Sequence, residues 1–229
     1  MTNAPNPSAR QLRLSLERAK AYARDDIVRG ASNAEALTAL DAWPRWPGGC
    51  LALVGPAGCG KTHLSHSWAV AAGAAVLDRL APEVGLASGR PVLLEDADRG
   101  MPAESLFHLI NLAAREGGGL LVTARNAPAL WGATLPDLRS RLNALTVAEI
   151  GPPDDTVLEG VLRRFFRDRN IRPPEEIYPY LMSRMGRSIP DAAEVVRRLD
   201  EAGDDGFRPV TRVLARQILE ENAALDLFD

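Results

Sequence analysis

The alternation of apolar and polar positions changes character near residue 151. Ahead of it, short apolar runs read as buried strands: Leu51-Ala52-Leu53-Val54, Ala74-Ala75-Val76-Leu77, Val92-Leu93-Leu94, Leu120-Leu121-Val122-Thr123 and Leu145-Thr146-Val147. Between them, apolar positions recur at helical spacing from His63 to Ala72 and, through Leu106, Ile110 and Leu112, from Ser105 to Glu116. Strands that are apolar throughout and alternate with helices predict an α/β fold, a parallel sheet covered on both faces. After Gly151-Pro152-Pro153 the strand pattern stops. The spacing there predicts helices over Asp155 to Asp168, Pro174 to Met185, Ser188 to Ala202 and Arg208 to Asn222.

The Gly-Pro-Pro therefore marks the expected domain boundary. Residues 1 to about 10, rich in Pro, Asn, Ser and Ala, read as a mobile tail that cannot bury enough surface to order itself. The expected organisation is a mobile segment over 1–24, an α/β domain over 25–151 and a small all-helical domain over 152–229. A chain of 229 residues accommodates a main domain with a smaller one beside it, and 46% hydrophobic residues supply a sizeable core.

Charge and cysteine content narrow the function. A formal net charge of -3 argues against a broad non-specific nucleic-acid surface, which needs a clustered excess of Lys and Arg. Cys50 and Cys59 cannot make a disulfide framework, which points to the cell interior. The first residues hold no signal-peptide core and no stretch approaches a membrane span, so a soluble, cytoplasmic protein without a membrane partner is expected.

The strongest local chemistry is Gly55-Pro56-Ala57-Gly58-Cys59-Gly60-Lys61-Thr62, between a predicted strand and a predicted helix. The glycines let the backbone wrap closely and point N–H groups at phosphates. Lys61 adds charge for the outer phosphates and the Thr62 hydroxyl offers a Mg²⁺ ligand. The expected ligand is ATP or ADP. A second signal is Glu95-Asp96-Ala97-Asp98 at the end of an apolar strand, where such folds place Mg²⁺ and water ligands. Glu95 is assigned to the metal through water and Asp96 to the attacking water; Asp98 reads equally as a solvated loop acid. His63, His66 and His108 lack metal-site spacing and read as solvated or helix-packed imidazoles. Trp43 and Trp46, around Pro44, read as packing a turn against the sheet.

With the loop, the acidic strand end and the helical C-terminal part together, the chain resembles the AAA+ ATPases, and within them the branch of the replication initiator DnaA. Ile27-Val28-Arg29-Gly30-Ala31-Ser32-Asn33 looks like that branch's segment ahead of the P-loop. The resemblance places Ile27 and Val28 beside the adenine and adds His63, next after the loop, to the nucleotide site. Asp137-Leu138-Arg139-Ser140-Arg141-Leu142 looks like the motif carrying the arginine finger. It implies that Arg141 reaches the nucleotide site of a neighbouring subunit.

The stretch after the predicted helices leaves no room for a helix-turn-helix, so no dedicated DNA-binding domain is expected. That combination is similar to regulators of the Hda type, which inactivate DnaA, and the Leu106 to Ala113 helix looks like that of their HdaA variant. Gln11-Leu12-Arg13-Leu14-Ser15-Leu16 resembles their sliding-clamp peptide, with Ser15 where Pro is usual. Gln11, Leu12, Leu14 and Leu16 would then enter pockets on the clamp, the β subunit of DNA polymerase III. The same residues also suit the start of an amphipathic helix running to Ala23. Ala224-Leu225-Asp226-Leu227-Phe228 resembles a shorter clamp peptide, with Ala in place of Gln. The resemblance covers nearly the whole chain, most weakly over residues 70 to 90.

Two departures bear on catalysis. Arg125 stands where the family's first sensor is an Asp, with Asn126 next to it as a substitute, and Pro190 where the lid carries its second-sensor Arg, with Arg184 or Arg187 as the residues that could reach instead. The resemblance thus implies a regulator with at most weak intrinsic ATPase activity, acting on DnaA through Arg141 and able to form homo-oligomers. An AAA+ ATPase, a helicase-loader-like module that remodels a replication partner, and a small-molecule kinase are the alternatives. Residues 99–150 offer no cluster of arginines for a kinase lid.

Overall fold

A computed structural model describes Tyr22, residues 24–204 and residues 209–225. Its elements run α1 (Ala34–Asp41), β1 (Cys50–Val54), α2 (Lys61–Ala72), β2 (Ala75–Leu77), β3 (Pro91–Leu94), α3 (Ala103–Ala113), β4 (Gly119–Ala124), α4 (Pro136–Asn143) and β5 (Thr146–Glu149). Four helices follow: α5 (Asp155–Asp168), α6 (Ile177–Met182), α7 (Ile189–Asp204) and α8 (Arg212–Leu225).

All five strands are parallel, in the order β2-β3-β4-β1-β5. Every residue of β1 and β4 is buried, as expected for central strands of a sheet covered on both faces. Successive side chains take opposite faces. Cys50, Ala52, Val54, Val92, Leu94, Leu120 and Val122 meet Leu106, Leu109 and Ile110 of α3 and Leu138 and Leu142 of α4. Leu51, Leu53, Leu93 and Leu121 meet Ala36, Leu37 and Leu40 of α1 and Leu64, Trp68 and Ala69 of α2. The second face carries an aromatic knot in which Trp46 stacks on Trp68 at 5.0 Å and the Trp43 ring lies edge-on to both. The turn holding Trp43 and Trp46 thus packs as the sequence implies, and Trp68 of α2 is the partner that the sequence does not reveal.

Helices α5 to α8 enclose a core of their own around Leu158, Leu162, Phe166, Ile177, Leu181, Val196 and Leu199. The bounds of α5 coincide with the periodic stretch, because the Asp154 side chain accepts the Val157 N–H and caps its first turn. Helix α6 is shorter than its periodicity implies. Met185 is still buried in that core, but beyond the helix end.

Candidate nucleotide site

Residues 55–60 form the turn that joins β1 to α2. Gly58 and Gly60 have φ of 75° and 105°, a region that a side chain resists, so the backbone turns tightly here. Lys61 is 8% exposed, and its Nζ donates to the Gly55 and Pro56 carbonyls, both at 2.8 Å. The ammonium is held inside the curve of the loop, with its charge met by carbonyl oxygens. Thr62 is exposed on the first turn of α2, whose N-terminal end carries unpaired N–H groups and partial positive charge. Wrapped backbone, confined cation and helix N-terminus together form a cradle for phosphate oxygens.

The acids lie at the same edge of the sheet, since all parallel strands end there. Glu95 follows β3, and its Oε2 lies 2.9 Å from Nε2 of His66 on the second turn of α2. His66 is therefore neither solvated nor merely packed. It draws the acid towards the helix that begins Lys61-Thr62. Asp96 has φ of 49°, a costly conformation for a residue with a side chain, and its N–H donates to Thr123 Oγ1 at 3.1 Å. Its carboxylate lies 3.8 Å from Arg99. Asp98, ambiguous in sequence, accepts the Arg125 and Asn126 N–H groups at 2.9 and 3.3 Å and braces the loop after β4.

Ile27 packs against the sheet face that α1 and α2 cover. Val28 fills the space over Gly160 of α5, where an added Cβ would meet Val28 Cγ1 at 2.6 Å. The Val28 carbonyl accepts from Asn33 Nδ2 at 2.8 Å. Three neighbours escaped sequence reasoning. Arg164 of α5 pairs with Asp26 at 3.0 Å and approaches His63 Nε2 to 3.4 Å. Burial, and then the Arg164 charge, push the His63 pKa below its ordinary value. Tyr22, assigned by sequence to the N-terminal segment, stacks on His66 at 4.5 Å and tilts against His63 at 5.6 Å. Only His63 and His66 carried any signal, three residues apart on one helix flank.

The helical part closes on the loop through α7, where the Ile189 N–H donates to the Gly58 carbonyl at 3.0 Å. The nearby arginines are held elsewhere. Arg187 donates to Asp155 Oδ1 at 2.6 Å and to the Pro153 carbonyl at 3.2 Å, while Arg184 lies over the Tyr180 ring at 4.2 Å.

Arg141 does not join this cluster. It is exposed on α4, 6.0 Å from the Phe107 ring centroid, and its charge is felt at Cys50, the first residue of β1. Burial, slightly offset by Arg141, pushes the Cys50 thiol up to about 12. Gln11, Leu12, Leu14 and Leu16 lie outside the described residues, as do 226–229. Among the described residues, no three His, Cys, Asp or Glu side chains converge as a metal cluster, and no helix is long and apolar enough to cross a membrane.

No protein-family model matches the chain. In sequence it is similar to the chromosomal replication initiator protein DnaA of Thermomicrobium roseum, 24% identical over 121 residues. That match takes in 53% of this chain and only 26% of the initiator. In structure it is similar to domain III of DnaA from Thermotoga maritima, with a TM-score of 0.71, 20% identity and coverage of 87% of this chain and 96% of that one. AMPPCP-bound DnaA from Aquifex aeolicus superposes with a TM-score of 0.64 at 16% identity, over 80% of this chain and 66% of that one. The fold is the AAA+ fold as it occurs in DnaA, sheet and helical part together.

Proposed function

We propose that this protein is a nucleotide-binding regulator of replication initiation of the Hda type. In this reading residues 25–151 hold ATP or ADP, residues 152–229 act as the lid, and Arg141 completes the ATP site of DnaA so that the initiator hydrolyses its nucleotide. Gln11, Leu12, Leu14 and Leu16 dock on the sliding clamp and bring Arg141 to its target in the cytoplasm. The observation that carries the reading is Arg141, exposed on α4 beside the Phe107 ring of α3 and paired with no carboxylate among the described residues. An exposed guanidinium without an acid partner is available to a neighbour's nucleotide, whether that of DnaA or of a second copy.

The loop suits the phosphates of an adenine nucleotide. Its backbone is wrapped at Gly58 and Gly60, Lys61 is confined within it, and Thr62 is exposed beside it. Mg²⁺ would be held by Thr62 and, through water, by Glu95, and would supply charge neutralisation at the outer phosphates. His63, Ile27 and Val28 would border the base, and Asp96 would orient water. The likeness to AMPPCP-bound DnaA supports this placement.

The test is ATP hydrolysis by purified initiator in the presence of clamp loaded on DNA, with and without this protein. The expected result is strong stimulation, lost by a factor of roughly 10³ or more in Arg141→Ala, the scale of an arginine finger. Equal stimulation by the wild-type protein and Arg141→Ala refutes the assignment of the finger.

A further inference from the structure

We infer that Tyr22 and His66 act as positioning residues for the divalent cation of the nucleotide site: together they draw Glu95 back along α2, so that the cation binds more weakly than the loop alone would allow. The inference rests on the reading of residues 55–62 as a phosphate cradle with Glu95 on its metal side.

Glu95 leaves β3 at the edge of the sheet where α2 begins. Its Oε2 lies 2.9 Å from His66 Nε2, and no Lys or Arg among the described residues pairs with it. His66 stands four residues after Thr62, one turn further along α2 on the same flank, about 6 Å at ~1.5 Å per residue. The carboxylate is thus tied a full turn beyond the hydroxyl with which it would share a cation. The His66 side chain is 21% exposed and that of Glu95 30%, so water weakens this bond less than it would at an open surface.

A lone imidazole on a helix flank turns readily about its side-chain torsions and releases such a partner. Tyr22 opposes that. Its ring lies 4.5 Å from the His66 ring at 23°, a stacked arrangement, and leans on His63 at 5.6 Å and 48°. Stacking at this separation holds the imidazole by its face and leaves Nε2 turned to Glu95. The segment that follows Tyr22 is itself anchored. Asp26 pairs with Arg164 of α5 at 3.0 Å, and Ile27 packs against the sheet. A ring from outside both the loop and β3 therefore fixes where Glu95 points.

A cation at Thr62 must take Glu95, through its water, from a donor that already holds it. Loss of a hydrogen bond to a charged group is worth roughly tenfold or more in an equilibrium constant. Contacts of the nucleotide with the loop's N–H groups and Lys61 do not pass through Glu95. Cation affinity and nucleotide affinity therefore respond separately to His66.

The experiment titrates Mn²⁺ into the full-length protein saturated with ADP and follows free Mn²⁺ by electron paramagnetic resonance. The variants are His66→Ala, Tyr22→Ala, Tyr22→Phe and the double variant Tyr22→Ala with His66→Ala. His66→Ala should tighten Mn²⁺ by about tenfold, and Tyr22→Ala by about threefold, the scale of one aromatic pair. Tyr22→Phe keeps the ring and should match the wild type. The double variant should match His66→Ala alone, because Tyr22 acts through the imidazole. ADP affinity measured calorimetrically in EDTA should stay within about twofold throughout. A purely structural role would instead lower ADP affinity and thermal stability together, with no tightening of Mn²⁺. Mn²⁺ affinity unchanged or weakened in both folded single variants overturns the inference and leaves the cradle standing. Tightening in one folded single variant without the other overturns the chain of contacts from Tyr22 to Glu95. Should His66→Ala melt early, Tyr22→Ala and its rescue by Tyr22→Phe decide the matter. Failure of the wild type to bind ADP, with or without Mn²⁺, overturns the cradle itself.

Discussion

Ser32 and Asp154, 122 positions apart in the chain, hold each other's backbones: the Ser32 N–H donates to Asp154 Oδ2 at 2.8 Å, and the Asp154 N–H to Ser32 Oγ at 3.3 Å. One residue lies just ahead of α1, and the other caps α5, the first helix of the helical part. Gly151 adds its N–H to the Ser32 carbonyl at 2.9 Å, and Gly30 has no Cβ because the Asp154 carboxylate lies where one would go, 2.5 Å away. This junction sets where the helical part hangs relative to the sheet.

The junction has a signature in acid. Hydrogen bonds from the Ser32 and Val157 N–H groups stabilise the charged carboxylate and hold the Asp154 pKa below its ordinary 3.8. With the folded-state pKa depressed, the unfolded chain binds the proton more readily, so this stability is fully present above about pH 3.8. It is lost as pH falls through the lower folded-state value. Asp154→Ala should lower stability by about 1–2 kcal/mol at neutral pH, the range of a lost N-cap. The mutant's deficit should shrink as the pH of a denaturant melt is taken below 3.8. A deficit independent of pH down to the folded-state value would show that the carboxylate's charge plays no part.

The parts of the fold that the sequence displayed are those made by neighbours in the chain. Strands such as Leu120 to Thr123 announce themselves because both faces of a central strand are buried, and Gly55 to Thr62 because a cradle for phosphate is built from consecutive backbone groups. Helix α1 went unread, since Ala34–Asp41 spans barely two turns. The site's remaining partners were invisible for a different reason. His66 meets Glu95 across 29 positions and Arg164 meets Asp26 across 138, and nothing in either segment specifies the other. Pro190 was legible as a residue without a donor, but its contact with Gly58 required the lid to be placed.

Nucleotide binding and turnover should separate. In the proposed reading Lys61, held inside its loop by the Gly55 and Pro56 carbonyls, supplies affinity, so Lys61→Ala should reduce ADP affinity by tenfold or more, the loss of roughly 1.4 kcal/mol or above. The groups that would assist the chemistry are displaced by comparison. Glu95 is engaged by His66, the Arg125 side chain is exposed, and the lid meets the loop through neutral residues. Intrinsic ATP turnover by the protein alone should therefore stay well below the ~1 s⁻¹ at which working enzymes begin. Single-turnover measurements with radiolabelled ATP check this, and a fast burst of hydrolysis at stoichiometric protein would contradict it.

Clamp docking by the N-terminal peptide is the remaining prediction. A hexapeptide that docks by offering Gln11 for hydrogen bonding and Leu12, Leu14 and Leu16 to apolar pockets would need no folded support, so residues 8–18 as an isolated peptide should bind the clamp. Its affinity should fall within about tenfold of the whole protein's, the chain adding only secondary contacts. Ser15, where a Pro would preset the extended backbone, leaves more conformational entropy to lose; Ser15→Pro should tighten binding by up to ~1 kcal/mol, a fewfold change in dissociation constant. In the whole protein, Gln11→Ala with Leu14→Ala should remove clamp affinity while ADP affinity stays unchanged, because the variants lie outside residues 25–151. Deletion of Leu225 to Asp229 serves as the control for a second contact. If it weakens binding as much as the double variant does, two linked peptides act through effective concentration on a ring with equivalent pockets. If binding survives the deletion and is abolished by the double variant, the N-terminal peptide acts alone. Unchanged clamp affinity in the double variant sinks the docking proposal and leaves Arg141 without its tether.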